Sequence, residues 1–311
     1  MIRYLEDKAI DRAKWDALIT DCGSIYAQSW YLDVVHPQWE ALVCGDYEAV
    51  MPLTGGKKFG VNYLFQPFFA QQLGVFSRQD VSPAMLKDFL DAIPKKYRFA
   101  EIRMNEKNSV EEPVKGIEYH RNILLDLNQD IDSIHARYHA NAKRNLKKSE
   151  SFGLQIIESA DLNQIIKLFR EDRGANVGVW GDAEYATLLK LAETAMKRNA
   201  AFTLGMAENG SNEMLCGALF MQTESRVTFL FSGNSQRGKE TQSMTFMLNH
   251  VIQHFANQPF MFDFEGSDDD NLARFYLGFG GEAVRYPSFS FNRLPGFGKT
   301  MLRLWKSFGC S

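Results

Sequence analysis

The stretch that decides the fold is "DFEGSDDDNLARFYLGFGGE", which runs from Asp263 to Glu282. It follows a short apolar run, contains three consecutive carboxylates, and continues into an aromatic segment that ends in glycines. The acids could form a metal site, and the glycines could approach a ligand. Alternatively, the whole stretch could connect a strand to a helix.

The three acids fit a helix start better than a metal site. A calcium loop places its ligands at alternate positions and requires a glycine. Counted from Asp268, the third ligand would fall on Leu272, and the loop glycine is absent. Asp268–Asp270 precede a helical pattern that begins near Asn271, where side-chain oxygens cap free N–H groups and acids favour the positive helix end. We therefore predict a capped helix and no metal.

Composition points to a soluble two-domain protein. The chain has 311 residues, more than the roughly 250–300 at which single cores stop growing. With 45% hydrophobic and 23% charged residues and a net charge of −3, it has no global field for DNA. The N-terminus lacks a signal-peptide core, and no segment approaches the ~20 apolar residues of a membrane span. We expect a cytoplasmic protein without transmembrane segments.

The cysteines do not indicate a zinc site, and they fit a reducing compartment. All four are scattered, with no pair at metal-ligand spacing. Cys216 lies in the apolar run "MLCGALFM" and is expected to be a buried thiol.

A helix–strand–connection–strand pattern occurs twice, about half a chain apart. The first copy has a helix over 84–94 and strands over 99–104 and 119–127; the second has a helix over 244–255 and strands over 260–264 and 283–291. This order indicates mixed α/β or α+β architecture. The boundary between the two domains is expected near Asn128, where the strand over 119–127 ends and before a basic helix over 134–151.

A polar, glycine-bearing segment follows the strand 227–231. It reads "SGNSQRGKETQ" from Ser232, and a long helix is expected from about Thr241. A strand, a glycine-bearing loop and a helix N-terminus can bind phosphates through free backbone N–H groups. A capped surface loop explains the same residues equally well.

The segment "GFGKT", from Gly296 to Thr300, is not a P-loop. That motif requires glycine where Arg293 stands. The spacing of apolar residues over 297–308 instead predicts a terminal helix.

The basic helix predicted over 134–151 carries five cationic side chains, which are Arg137, Lys143, Arg144, Lys147 and Lys148. It reads "HARYHANAKRNLKKSES" from His135. A solvated basic face and an anion-binding face toward a phosphorylated substrate both fit this pattern.

Four segments together resemble the Fem-type peptidoglycan-bridge aminoacyltransferases, a branch of the GNAT acyltransferase superfamily. They are "GSIYAQSWYLDVV" (23–35), "ANAKRNLKKSESFGLQI" (140–156), "SGNSQRGKETQSMTFMLNHVI" (232–252) and "FDFEGSDDDNLARFYLGFGGEAVRY" (262–286). The last is the most specific, since in these families a strand end of this kind precedes a helix that ends in R-F-Y-x-x-F-G.

The resemblance implies an α+β fold of two tandem GNAT-like domains with a cleft between them. The expected ranges are 1–128 for the first domain, 129–294 for a second domain that carries the donor site, and 295–311 for a terminal helix that returns to the first domain. Each domain is expected to have a mixed sheet splayed to admit an acyl donor.

The resemblance also implies a set of site residues. Tyr276 is expected to be the general acid, with Glu265 or Asp263 as the base. The donor's phosphates are expected at Gln236, Arg237, Gly238, Lys239 and Thr241. The acceptor is expected to contact Lys143 and Arg144 of the basic helix and Tyr26 and Trp30 of the first segment.

The implied activity is acyl transfer from an activated donor to an amine. Acyl-CoA is the expected donor co-substrate, because the helical arm that some tRNA-dependent members carry has no counterpart in this sequence. The alternatives are aminoacyl-tRNA as the donor in peptidoglycan bridge synthesis, and a non-catalytic module of cell-envelope or polysaccharide synthesis. The acceptor is expected to be a small molecule or a cell-wall precursor.

Overall fold

The computed structural model describes residues 1–110, 116–174 and 180–294. The chain forms two compact units. Among the described residues, unit 1 comprises those within Met1–His120 together with Arg285–Leu294, and unit 2 comprises those within Arg121–Val284. The domain boundaries expected from the sequence, at 128 and 294, lie about ten residues further along the chain than the unit limits after His120 and Val284.

Unit 1 contains two groups of strands. A four-stranded sheet has the order β1-β2-β3-β6, and a second group has the order β4-β5-β7-β14. Its helix α3 begins at Pro83 after the cap Ser82, whose hydroxyl accepts from the Met85 N–H. The elements of this unit are β1 (Ile2–Leu5), α1 (Arg12–Cys22), α2 (Ser29–Val35), β2 (Glu40–Cys44), β3 (Ala49–Leu53), β4 (Gly55–Lys58), β5 (Val61–Leu64), β6 (Phe76–Ser77), α3 (Pro83–Asp91), β7 (Tyr97–Arg103) and most of β14 (Glu282–Asn292).

Unit 2 contains a run of strands in the order β8-β13-β12-β11-β10-β9. Its pairs are antiparallel except for β12 and β13, which are parallel. The elements are most of β8 (Ile117–Asp126), α4 (Ile131–Arg137), α5 (Ala140–Glu150), β9 (Leu154–Glu158), α6 (Leu162–Glu171), α7 (Asp182–Met196), β10 (Ala201–Glu208), β11 (Cys216–Gln222), β12 (Arg226–Asn234), α8 (Gln236–Thr241), α9 (Ser243–Phe255), β13 (Met261–Asp263) and α10 (Asp270–Leu277).

The core of unit 2 is built around α9 and the central strands. The α9 residues Met247, Leu248 and Ile252 are fully buried against this core. Each such side chain contributes roughly 1.5–3 kcal/mol by leaving water. Cys216 on β11 is also fully buried, as the sequence predicts, and burial raises the pKa of its thiol.

The mixed α/β architecture predicted from the sequence is confirmed. The helices expected over 84–94 and 244–255 are α3 and α9, and the helix expected after the three acids is α10. Asp269 is its N-cap and accepts from the Leu272 N–H at 2.8 Å. The predicted capping role is therefore confirmed.

The single basic helix predicted over 134–151 is wrong. The chain forms α4 and α5 instead, separated by Tyr138 and His139, which both have extended backbone. Tyr138 is buried and donates its hydroxyl to Asn249 Oδ1, and the His139 N–H donates to the Gly278 carbonyl. Because these contacts draw the two residues toward α9 and the end of α10, the helix breaks there.

The glycine-bearing loop predicted before the long helix is also wrong in its local structure. Residues Gln236–Thr241 form the helix α8, and Ser235 caps it by accepting from the Gly238 N–H at 2.9 Å. Gln242 then adopts a left-handed conformation, which ends α8 and starts α9. The "GFGKT" segment and the predicted terminal helix lie outside the described residues.

Candidate functional site

A fork in the sheet of unit 2 is the central feature of the candidate site. The parallel strands β12 and β13 pair over only three positions, which end at Thr228 and Asp263. Beyond Thr228, β12 continues to Asn234 while paired only with β11. We call the point after Thr228 and Asp263 the strand fork. Past it, one edge of β12 has no partner strand among the described residues, so its backbone groups can bind a ligand.

A β-bulge lies on β12 immediately past the fork. Leu219 of β11 pairs with Phe231, whereas the next residue, Phe220, pairs with Phe229. Leu230 is therefore the extra residue. A bulge re-aims backbone groups and side chains and is frequent next to active sites. The bulge at Leu230 therefore lies where a ligand at the fork would meet the backbone of β12.

Tyr276 covers the fork from α10. Its ring stacks on Phe264 at a centroid distance of 5.1 Å and meets Phe229 edge-on at 6.2 Å. These two residues follow the paired parts of β13 and β12, so the tyrosine joins both branches of the fork. Tyr276 is 7% exposed, and its hydroxyl has no hydrogen-bond partner among the described residues.

Burial is the largest cause that raises the pKa of the Tyr276 hydroxyl, and the charge of Glu265 raises it further, while that of Arg173 lowers it. The phenol therefore stays protonated at neutral pH. A protonated hydroxyl at the fork can donate a proton, which is the chemistry a general acid requires.

Asp263 anchors the end of β13. Its carboxylate is fully buried, and Oδ2 accepts from Arg226 Nη1 at 3.0 Å. Its Oδ1 accepts from the Glu265 N–H at 2.8 Å. Because both oxygens have partners, Asp263 is well placed to hold the turn that follows the strand.

Glu265 lies in that turn with a φ of 55°, in the left-handed region. Such a conformation costs of order 1–3 kcal/mol and persists only where the surroundings enforce it. Gly266 follows with a φ of 45°, and a Cβ there would lie 2.4 Å from the Cα of Asn122. The backbone conformation of this turn thus fixes the position from which the Glu265 side chain extends, two residues after Asp263 at the fork.

The segment predicted to bind the donor's phosphates has its cations engaged with acids. Arg237 pairs with Glu208 at 2.6 Å, and this hydrogen bond raises the pKa of its guanidinium. Lys239 pairs with Asp172 at 2.6 Å. Gln236 is exposed, whereas Gly238 and Thr241 are buried. Phosphate binding by these residues stays a prediction.

The residues predicted to bind the acceptor lie in different units. In unit 2, Lys143 and Arg144 are exposed on α5; Lys143 donates to the Ala136 carbonyl and Arg144 to Asn141. In unit 1, Tyr26 is buried and packs edge-on against Tyr31, which Trp30 also contacts. Their role in acceptor binding stays a prediction.

Sequence reasoning did not identify the bulge at Leu230 or the role of Arg226. A bulge has no reliable signature when the surrounding run, here "VTFLFS", is apolar and aromatic throughout. Arg226 could have been identified, because a cation at the start of a buried strand needs an acidic partner, and Asp263 closes the neighbouring strand. The described residues contain no helix long and apolar enough to cross a membrane.

Comparison with known structures identifies the fold. No protein-family model matches the chain, and neither does any curated protein sequence. The structure of FemX superposes with a TM-score of 0.65 at 10% identity, covering 94% of this chain and 98% of that one. The chain has a Fem-type GNAT fold. The resemblance inferred from the sequence is thereby confirmed at the level of the fold.

Two further structures of this fold match over nearly their whole length. L-PGS from Bacillus licheniformis has a TM-score of 0.54 at 14% identity, covering 97% of this chain and 98% of that one. A tandem GNAT protein from the clavulanic acid biosynthesis pathway has a TM-score of 0.52 at 11% identity, covering 95% of this chain and 100% of that one. At these identities the likeness concerns the fold, and the residues of this chain must carry the functional argument.

Proposed function

We propose that the protein is an acyltransferase that moves an acyl group from an acyl-CoA donor to an amine acceptor. The observation that carries the proposal is the strand fork of β12 and β13, with its bulge at Leu230 and with Tyr276 across both branches. The structural neighbours support acyl or aminoacyl transfer as the class of reaction.

The fork supplies what the donor's carbonyl group requires. During acyl transfer, negative charge develops on the carbonyl oxygen, and oriented N–H donors in a dry site stabilise it. The unpaired edge of β12 past Thr228 offers such donors, and the bulge at Leu230 turns them. An extended acyl thioester can lie along this edge and take the place of the missing strand.

The proton transfers fall to two side chains. The amine nitrogen bonds to the carbonyl carbon and the carbon–sulfur bond breaks. Glu265, directly or through a water molecule, takes the proton that the amine loses, and Tyr276 gives its hydroxyl proton to the departing thiolate. Asp263 acts as a positioning residue, since it binds the Glu265 N–H. No nucleophilic side chain is needed, because the amine attacks the donor directly.

A second candidate donor, aminoacyl-tRNA, is favoured by one observation. The outer face of α5 exposes Lys143, Arg144, Lys147 and Lys148, and Glu150 is the only acid of this helix. A cationic face of this kind attracts the phosphates of RNA. The chemistry at the fork would be the same, except that Tyr276 would protonate a ribose oxygen.

The test is acyl transfer by the purified protein with each donor. Acetyl-CoA and an aminoacyl-tRNA are supplied separately with a panel of primary amines, and products are identified by mass spectrometry. Transfer from acetyl-CoA supports the leading proposal, and transfer from aminoacyl-tRNA alone supports the second. If the wild-type protein binds and turns over neither donor, both proposals fail and a non-catalytic role is favoured.

A further inference from the structure

A second feature of unit 2 is a pocket of about 370 Å³ between α5, α9 and α10. Its size falls in the range of small-molecule sites. The site residues discussed above do not line it. The lining residues are His139, Asn141, Ala142, Asn145, Thr245, Arg274, Phe275, Gly278 and Phe279.

Two helix N-termini contribute to this pocket. Asn141 and Ala142 belong to the first turn of α5, and Thr245 belongs to the first turn of α9. Neither helix has a side-chain cap, since the side chains of His139 and Gln242 at the cap positions accept no backbone N–H. The first N–H groups of a helix have no carbonyl partner within it, and together with the helix dipole they favour an anion.

Thr245 adds an independent observation. It is 2% exposed, and its hydroxyl has no hydrogen-bond partner among the described residues. The hydroxyl oxygen is not among the fully buried polar atoms that lack a partner, so it lies open to the pocket that Thr245 lines and can bind a ligand there.

Arg274 gives the pocket a positive charge. It lies in the last turn of α10, and its guanidinium forms no ion pair or hydrogen bond with the described residues. None of the lining residues carries a carboxylate. The cations of α8 differ in this respect, since Arg237 and Lys239 are both paired with acids.

We propose that this pocket binds the phosphate group of a small phosphate ester. The N-terminus of α5, the Thr245 hydroxyl and Arg274 would contact the phosphate oxygens. Phe275 and Phe279 form an apolar wall for the part of the ligand that adjoins the phosphate. The site is defined by its own lining and does not depend on the acyl-transfer chemistry proposed for the fork.

Calorimetric titration of the full chain tests the site with two probes, inorganic pyrophosphate and coenzyme A. Three variants perturb the lining. Thr245→Val removes the hydroxyl at constant shape, and Arg274→Gln removes an exposed charge. Asn141→Asp puts a carboxylate at the start of α5, where it favours the helix but repels an anion.

Lys147→Gln is the matched control. It removes one exposed charge from the same helix without touching the pocket lining. Thermal melts of all four variants report whether each one folds, and Asn141→Asp is expected to melt no lower than the wild type.

We expect Arg274→Gln and Asn141→Asp to weaken pyrophosphate binding by at least about tenfold, as loss of a charge-assisted contact does. Thr245→Val should weaken it less, and Lys147→Gln by less than about twofold. If coenzyme A binds more tightly than pyrophosphate and the variants weaken its binding in the same order, the ligand is a phosphate ester. Absence of pyrophosphate binding by the wild type, or equal weakening by Lys147→Gln and Arg274→Gln, overturns the proposal.

Discussion

Replacing Tyr276 by Phe separates catalysis from folding at the strand fork. The ring keeps its stacking on Phe264, so no apolar burial is lost. The hydroxyl has no partner among the described residues, so its removal leaves no other polar group unsatisfied and should change stability by about 1 kcal/mol or less. We therefore expect the free energy of unfolding to stay close to that of the wild type.

The effect on the reaction should be far larger. Loss of a general acid slows the chemical step by typically 10²–10⁴-fold, which corresponds to about 3–5 kcal/mol of barrier. Single-turnover acyl transfer, measured under saturating donor, reports this step directly. Donor affinity should be unchanged, since the hydroxyl acts on the leaving group and not on the bound ground state.

Tyr138→Phe is the matched control. This tyrosine is also buried in unit 2, but its hydroxyl donates to Asn249 Oδ1 at 3.1 Å and lies outside the fork. It should lose about 1 kcal/mol of stability and keep its rate, which is the reverse of the pattern for Tyr276. The catalytic assignment would be refuted if the single-turnover rate of Tyr276→Phe lay within about threefold of the wild type. It would also be refuted if Tyr138→Phe and Tyr276→Phe lost the same factor in rate.

Three further outcomes are expected. Gly238→Ala places a Cβ 2.4 Å from the Leu215 carbonyl oxygen and should lower the free energy of unfolding by about 1–3 kcal/mol in urea titrations; an unchanged midpoint contradicts the packing of α8. Asp263→Asn keeps an acceptor for the neighbouring turn but removes the negative charge that pairs with Arg226, so denaturation should show a loss of about 1–3 kcal/mol, and kcat should fall by a larger factor than KM rises. Wild-type stability together with wild-type kinetics would contradict the positioning role of Asp263. Burial raises the pKa of the Tyr276 hydroxyl in the folded state. The free energy of unfolding therefore does not depend on this group below about pH 10, and it falls above that pH as the phenol ionises in the unfolded state alone. Urea midpoints measured at increasing alkaline pH should fall less steeply in Tyr276→Phe than in the wild type.

Elements with a strong pattern could be predicted from the sequence. The apolar spacing over 244–255 is that of α9, which buries most of its residues, and the acids before Asn271 are a helix start. In both places local propensity and tertiary packing favour the same structure. The break at Tyr138 could not be predicted, because its cause is a pair of contacts with residues more than a hundred positions away.

The site was predictable only in part, for a related reason. Tyr276 stands out because the glycines after it end a helix, and the sequence predicts its place next to the strand end at Asp263. The short pairing of β12 with β13 and the bulge at Leu230 are properties of register, which depends on partner strands. The pairing of Arg237 with Glu208 likewise joins two segments that are 29 residues apart along the chain, so it could not be predicted from local sequence.

The division of unit 1 between both ends of the chain has a consequence for synthesis on the ribosome. The strand β7 near residue 100 needs β14, where Arg103 lies opposite Ser288, to complete its pairing. Translation at ~5–20 residues per second puts an interval on the order of 10–40 s between these two strands. During that time β7 has an open edge, whereas unit 2 is one continuous segment of the chain. The unit that is made first thus waits for a strand that is made only after nearly all of unit 2.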